Sequence, residues 1–200
     1  MTDLLKAGPD RTKSTRIVQQ CCQSNFYQFL FLIFCEKMAN VKPKVLIFDL
    51  DYTLWPFWVD THVNPPFRKT SNGTVVDSSG TTIKHYPEVP EVLDGLHKQG
   101  YLLAVASRTG EIEGARQLID LFGWKHLFSH EEIYPGSKTK HVANIKNAFG
   151  VEYRDMIFFD DEGRNIRDVG ELGVLSIMVR NGVTKAVVED ALSQYSKRKG

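Results

Sequence analysis

Val45-Leu46-Ile47-Phe48-Asp49-Leu50-Asp51-Tyr52-Thr53 sets a short, unbroken apolar run directly against two carboxylates. A continuous run of four apolar residues fits a β-strand buried on both faces, as in a parallel sheet covered by helices. The same unit recurs downstream. Tyr101 to Ala106, Met156 to Phe159 and Val174 to Val179 read as further buried strands, with Lys125 to Phe128 as a weaker one. Between them lie helical stripes over Glu88 to Gln99, Glu111 to Phe122, Thr139 to Phe149, Asn165 to Leu172 and Thr184 to Tyr195. The first four of these are each followed by a glycine. Strands alternating with helices predict an α/β fold, a doubly wound parallel sheet covered on both faces. The alternation stops between Trp55 and Tyr86. There Pro56, Pro65-Pro66, Asn72-Gly73 and Ser79-Gly80 predict a small β insert with hairpin turns after strand 1, and no large cap domain. Trp55, Phe57 and Trp58 are expected to anchor that insert, and His62, His85 and His130 to be structural or surface groups.

The chain has 200 residues, enough for one domain with a self-sufficient core. The division expected is an extension over 1–40 and one α/β domain over 41–200, with the insert at 55–86. Residues 1–24 are polar and aperiodic, which predicts disorder. Phe26 to Phe34 is apolar but far short of the roughly 20 residues that cross a bilayer, so a short helix is expected there. Met38, just before the first strand, is a candidate start for the working chain. The net charge of +1 argues against nucleic acid or an anionic membrane as a partner. The three cysteines, Cys21, Cys22 and Cys35, all precede Met38, so the body of the chain has no thiolate chemistry. A reducing, cytoplasmic setting and a monomer are expected.

Ligands of open parallel sheets bind beyond the carboxyl ends of the strands. The polar residues at those ends are Asp49 and Asp51, then Ser107, Arg108 and Thr109, then Asp160, Asp161 and Glu162, with Lys138 opening the helix between strands 3 and 4. Carboxylates gathered so closely need a cation, and Mg2+ suits carboxylates, waters and a phosphate oxygen. Ser107, Arg108 and Lys138 supply the donors a phosphoryl group needs. Two acids two residues apart at a strand end can face one pocket, one attacking phosphorus and the other handling the proton. Taken singly, Asp160-Asp161 could cap a helix, Ser107 could be an N-cap and Lys138 a solvated lysine. Their convergence on one sheet edge is what carries the reading.

Asp49-Leu50-Asp51-Tyr52-Thr53, Ser107-Arg108-Thr109, Lys138 and Phe159-Asp160-Asp161, in that order, resemble the four motifs of the haloacid dehalogenase superfamily. The wider runs Phe48 to His62, Tyr86 to Val89, Ile133 to Lys138 and Phe158 to Glu162 resemble its small magnesium-dependent phosphatases, over roughly Val41 to Asn181. The resemblance implies Asp49 as nucleophile and metal ligand, and Asp51 as general acid/base, with its backbone carbonyl on the metal. It implies Ser107, Arg108 and Lys138 as phosphoryl-binding groups. It makes Asp161 the direct metal ligand, with Asp160 acting through water or neighbouring contacts. Members that act on carbon–halogen bonds lack the second acid, so Asp51 favours transfer of phosphate to water. The expected activity is a Mg2+-dependent phosphomonoesterase working through an aspartyl-phosphate, on phosphotyrosine or protein-linked sugar phosphates. The alternatives are a small-molecule sugar phosphatase and a receiver-like phospho-aspartate signalling module. The receiver is disfavoured because the middle strand here ends in Ser107 and the adjacent acidic pair comes late.

Overall fold

The computed structural model describes residues 42–199; the extension expected over 1–40 and the candidate start Met38 lie outside them. The strands are β1 (Val45–Phe48), β2 (Arg68–Lys69), β3 (Val75–Val76), β4 (Leu102–Ser107), β5 (Phe128–Ile133), β6 (Met156–Asp160) and β7 (Leu175–Met178). The helices are α1 (Val89–Lys98), α2 (Ile112–Leu121), α3 (Lys138–Phe149), α4 (Gly163–Glu171) and α5 (Lys185–Lys199). Five strands form one sheet in the order β5-β4-β1-β6-β7. Every pairing is parallel. The predicted α/β sheet is therefore present, and no large cap is evident among the described residues.

The most apolar strand lies in the middle. Val45 to Phe48 are fully buried, paired with β4 on one side and β6 on the other. Side chains alternate across the sheet. Val45, Ile47, Ala104, Ala106, Met156 and Phe158 pack with Val142, Ile145 and Val169 of α3 and α4 in one core cluster. Phe48 and Phe159 stack with ring centroids 4.9 Å apart. The buried stripes Val89, Val92, Leu93 and Leu96 of α1, and Ala115, Leu118 and Ile119 of α2, supply further apolar surface to the core. The chain runs outward from β1 through β4 to β5, then returns to pair β6 beside β1. Strand order reverses at the carboxyl ends of β1 and β6, where a crevice opens.

One element differs from the sequence reading. The strand expected at 125–128 runs instead from Phe128 to Ile133. Trp124 to Leu127 turns back on itself through the Leu127 N–H to Trp124 carbonyl bond. As the edge strand, β5 is covered less and tolerates Ser129, His130, Glu131 and Glu132 in its interior, so it lacks the apolar run that marks a central strand. The insert contains the hairpin β2–β3, closed at Asn72-Gly73 with Gly73 at φ 85°, and a second antiparallel turn at Ser79-Gly80, across which Val76 bridges Thr82. Its polar centre is Asp77, whose carboxylate accepts from the backbone N–H groups of Asn64, Ser79 and Thr81 and from the Asn64 side chain.

Candidate active site

Each strand end delivers one piece of the site. Asp49 continues β1, its N–H donating to the Phe159 carbonyl at 2.9 Å, so its carboxylate leaves the sheet beside β6. Ser107 closes β4 and Asp160 closes β6. Lys138 is the first residue of α3, whose N-cap Ser137 accepts from Lys140 N–H. That cap starts the helix where the lysine points inward. Lys138 is 3% exposed; its Nζ lies 2.5 Å from Asp49 Oδ1 and 3.2 Å from Asp160 Oδ2, and it also donates to the Ala106 carbonyl.

Asp49, Asp160 and Asp161 each offer an oxygen within 4.8 Å of the others. Three carboxylates against the single Lys138 ammonium leave two surplus negative charges in a mostly buried cluster. Burial pushes the Asp49 carboxyl up, the Lys138 ammonium pulls it down and the Asp160 charge pushes it up again; the net direction is upward. Burial alone would drive Lys138 down, but the charges of Asp49 and Asp160 outweigh it and hold the ammonium above its ordinary range. Burial, then the Asp160 charge, raises Asp161 to about 6. These are the conditions a hard divalent cation relieves, and an all-oxygen donor set suits Mg2+.

The two adjacent acids differ. Asp160 accepts from Glu162 N–H at 2.8 Å and from Asn165 Nδ2 on both oxygens. Asp161, half-buried, takes no hydrogen bond from another described residue. Asp51 is separate from the cluster. Its Oδ1 accepts from the Trp55 indole N–H at 2.6 Å and from Val59 N–H at 3.2 Å. Burial raises it to about 6 against the pull of those two bonds, a range suited to a group that both gives and takes a proton near neutral pH.

Asp49, Asp51, Ser107, Arg108, Lys138 and Asp161 all line one cavity of about 240 Å³, together with Trp58, Asp60, Thr109, Glu162, Arg164 and Asn165. The structure thus brings every candidate residue from the sequence to one place. It divides the aromatic trio differently. Trp55 and Phe57 are buried and stack on each other, as anchors do. Trp58 is 48% exposed and lines the cavity, so it belongs to the rim.

Three residues had no assigned part in the sequence reading. Asn165, buried, bridges Asp160 and Glu162. Glu162 accepts from Arg108 Nη1 at 3.3 Å and Arg164 Nε at 2.7 Å, while Arg108 Nε donates to the Gly136 carbonyl. His141, fully buried, donates from Nε2 to the Tyr134 carbonyl and so ties α3 to the loop before Lys138. The only sequence signal was the position of Glu162 and Asn165 just past a strand-end acidic pair, at the opening of a helix.

The acid phosphatase family model matches residues 41–198. Magnesium-dependent phosphatase 1 of Homo sapiens is 54% identical over 155 residues, covering 78% of this chain and 88% of that protein. A HAD-like hydrolase superfamily protein of Schizosaccharomyces pombe is 43% identical over 149 residues, covering 68% of this chain and 86% of that protein. A HAD-superfamily hydrolase from Ehrlichia chaffeensis has a similar solved structure, with TM-score 0.52 and 16% identity over 80% of this chain and 98% of that one.

Proposed function

The chain belongs to the acid phosphatase family, as a magnesium-dependent phosphatase of haloacid-dehalogenase fold that hydrolyses phosphoric monoesters, and from that premise we propose that it does so through a phosphoryl group carried on Asp49. The observation that carries this is the Asp49 carboxylate, placed by β1 against Lys138 with Asp51 in the same cavity.

Asp49, Asp161 and the backbone carbonyl of Asp51 would hold Mg2+, with Asp160 behind them. The bonds already committed at Asp160, where Asp161 takes none from another described residue, support that split. Bound there, the ion supplies the positive charge that lets carboxylates and a phosphate dianion share one site. Lys138, Ser107 and Arg108 hold the phosphoryl oxygens. An Asp49 oxygen attacks phosphorus, and Asp51 gives its proton to the departing oxygen. Water then attacks the acyl phosphate while Asp51 takes a proton back, and inorganic phosphate leaves. The Trp55 and Val59 bonds fix one oxygen of Asp51, which leaves the other for proton transfer.

The substrate class we favour is a phosphorylated protein group, phosphotyrosine or a protein-linked sugar phosphate. Among the described residues no large cap covers the site, and the exposed Trp58 ring offers a face to a flat or bulky leaving group. Among the described residues no helix is long and apolar enough to cross a membrane. We place the protein in the cytoplasm, as a monomer, consistent with a body that carries no cysteine.

Turnover of a generic aryl phosphate tests the reading. It should require Mg2+ and vanish in Asp49→Asn. Asp51→Asn should retain phosphoryl capture from good leaving groups better than release of phosphate. Activity without a divalent ion, or an active Asp49→Asn enzyme, would refute the mechanism.

A further inference from the structure

Asp161 borders a second depression. With Tyr52, Met178, Val179, Arg180 and Asn181 it lines about 570 Å³ of space next to the catalytic cavity, which it also lines. The two spaces are linked by an aromatic pair. Tyr52, on the second, meets Trp58, on the first, edge-on with ring centroids 5.5 Å apart. Met178 adds apolar surface, 38% exposed.

The loop that carries Arg180 is pinned at both ends. Val179 N–H donates to the Asp160 carbonyl at 2.9 Å, and Val183 N–H donates to the Thr53 carbonyl at 3.0 Å. Between them Gly182 has φ 79°, and the Tyr86 ring occupies the place where a Cβ would stand. A side chain there would collide with the ring, so glycine holds the loop against Tyr86. Arg180 is therefore presented on a fixed backbone at the carboxyl edge of the sheet.

Four cations border the two spaces. Lys138 is paired with Asp49 and Asp160, and Arg108 and Arg164 both pair with Glu162. Arg180, exposed, pairs with no carboxylate among the described residues. Nor does it line the cavity of the phosphoryl-binding groups. An arginine on a fixed backbone whose guanidinium is left unpaired is suited to a planar anion such as carboxylate.

We propose that this depression receives the leaving-group end of the substrate, and that Arg180 recognises a second anionic group on it. The preferred substrates are then phosphomonoesters whose leaving group bears a carboxylate. This rests on the phosphatase reading above and adds the selectivity that reading lacks. Tyr52 and Met178 supply the apolar wall along which the leaving group lies.

The test compares 4-carboxyphenyl phosphate with its carboxamide, two esters that differ mainly in that charge, on the full chain with Mg2+. The ratio of kcat/KM for carboxylate over carboxamide should fall about fivefold in Arg180→Gln, through KM. Arg180→Lys should retain part of the preference. Because the ratio is internal to each protein, partial unfolding does not mimic the effect. A ratio that Arg180→Gln leaves unmoved overturns the proposal. A wild-type protein that turns over neither ester contradicts the phosphatase reading instead. The subsite is then read from the dissociation constants of the two esters, whose ratio the same substitution must still shift.

Discussion

The carboxyl edge of the sheet and the insert between Trp55 and Tyr86 both line the catalytic cavity, but different forces hold them. At the edge, Asp49, Ser107 and Asp160 stand on strands that are buried throughout their final residues and laddered to neighbours in register. The insert has two strands of two residues each and depends on polar keystones. Asp77 gathers backbone donors, and the Gln117 side chain accepts from Phe67 N–H at 2.6 Å. The chemistry thus rests on the most cooperative part of the fold. The insert supplies rim contacts, Trp58 and Asp60, where less stored packing energy tolerates more adjustment.

If that division holds, the largest effect should come from the edge. Lys138→Met removes the one ammonium facing Asp49 and Asp160. It should cut turnover at least about a hundredfold, as measured by steady-state kinetics. Next comes the apolar support beneath. Phe158, fully buried with its ring centroid 5.7 Å from Lys138 Nζ, should cost about 3–5 kcal/mol on change to alanine, read by urea denaturation. Asp77→Ala should act locally. Amide exchange should quicken over the insert while the β1, β4 and β6 amides keep their protection, and uniform loss across both regions would erase the distinction drawn here.

The smallest effect concerns pH. Asp51 and Asp161 each stand at about 6 against an ordinary 3.8. Between those values the folded protein holds protons that the unfolded chain releases, so without metal its stability falls as pH rises through about 6. A cation on the ionised Asp161 carboxylate reverses its share of this. Added Mg2+ should therefore raise Tm more at about pH 7.5 than at about pH 5, measured by scanning calorimetry. An equal shift at both would mean that Asp161 does not face the ion.

The same contrast explains what could be read in advance. β1, β4 and β6 are unbroken apolar runs, and polar residues directly following them in sequence must fall at one sheet edge; Asp49, Ser107 and Asp160-Asp161 were legible for that reason. Lys138 was legible because it opens the helical stripe over 139–149, between strands 3 and 4. The edge strand β5 was misplaced, since an edge position does not demand an apolar run. The roles of Trp58, Glu162, Asn165 and Arg180 depend on which way loops turn between fixed points. Asn165 reaches Asp160 because α4 starts at Gly163, and Arg180 reaches the cleft because Gly182 admits the Tyr86 ring. Such pairings leave no period in the chain.

The central claim is that Asp49 itself carries the phosphoryl group. Rapid acid quench during turnover of an aryl phosphate with Mg2+, followed by peptide mass spectrometry, tests it most directly. The account predicts a phosphoryl adduct on the peptide containing Asp49, enriched in Asp51→Asn and absent in Asp49→Asn. Steady hydrolysis with no adduct at any time point, or an adduct on another residue, would contradict it.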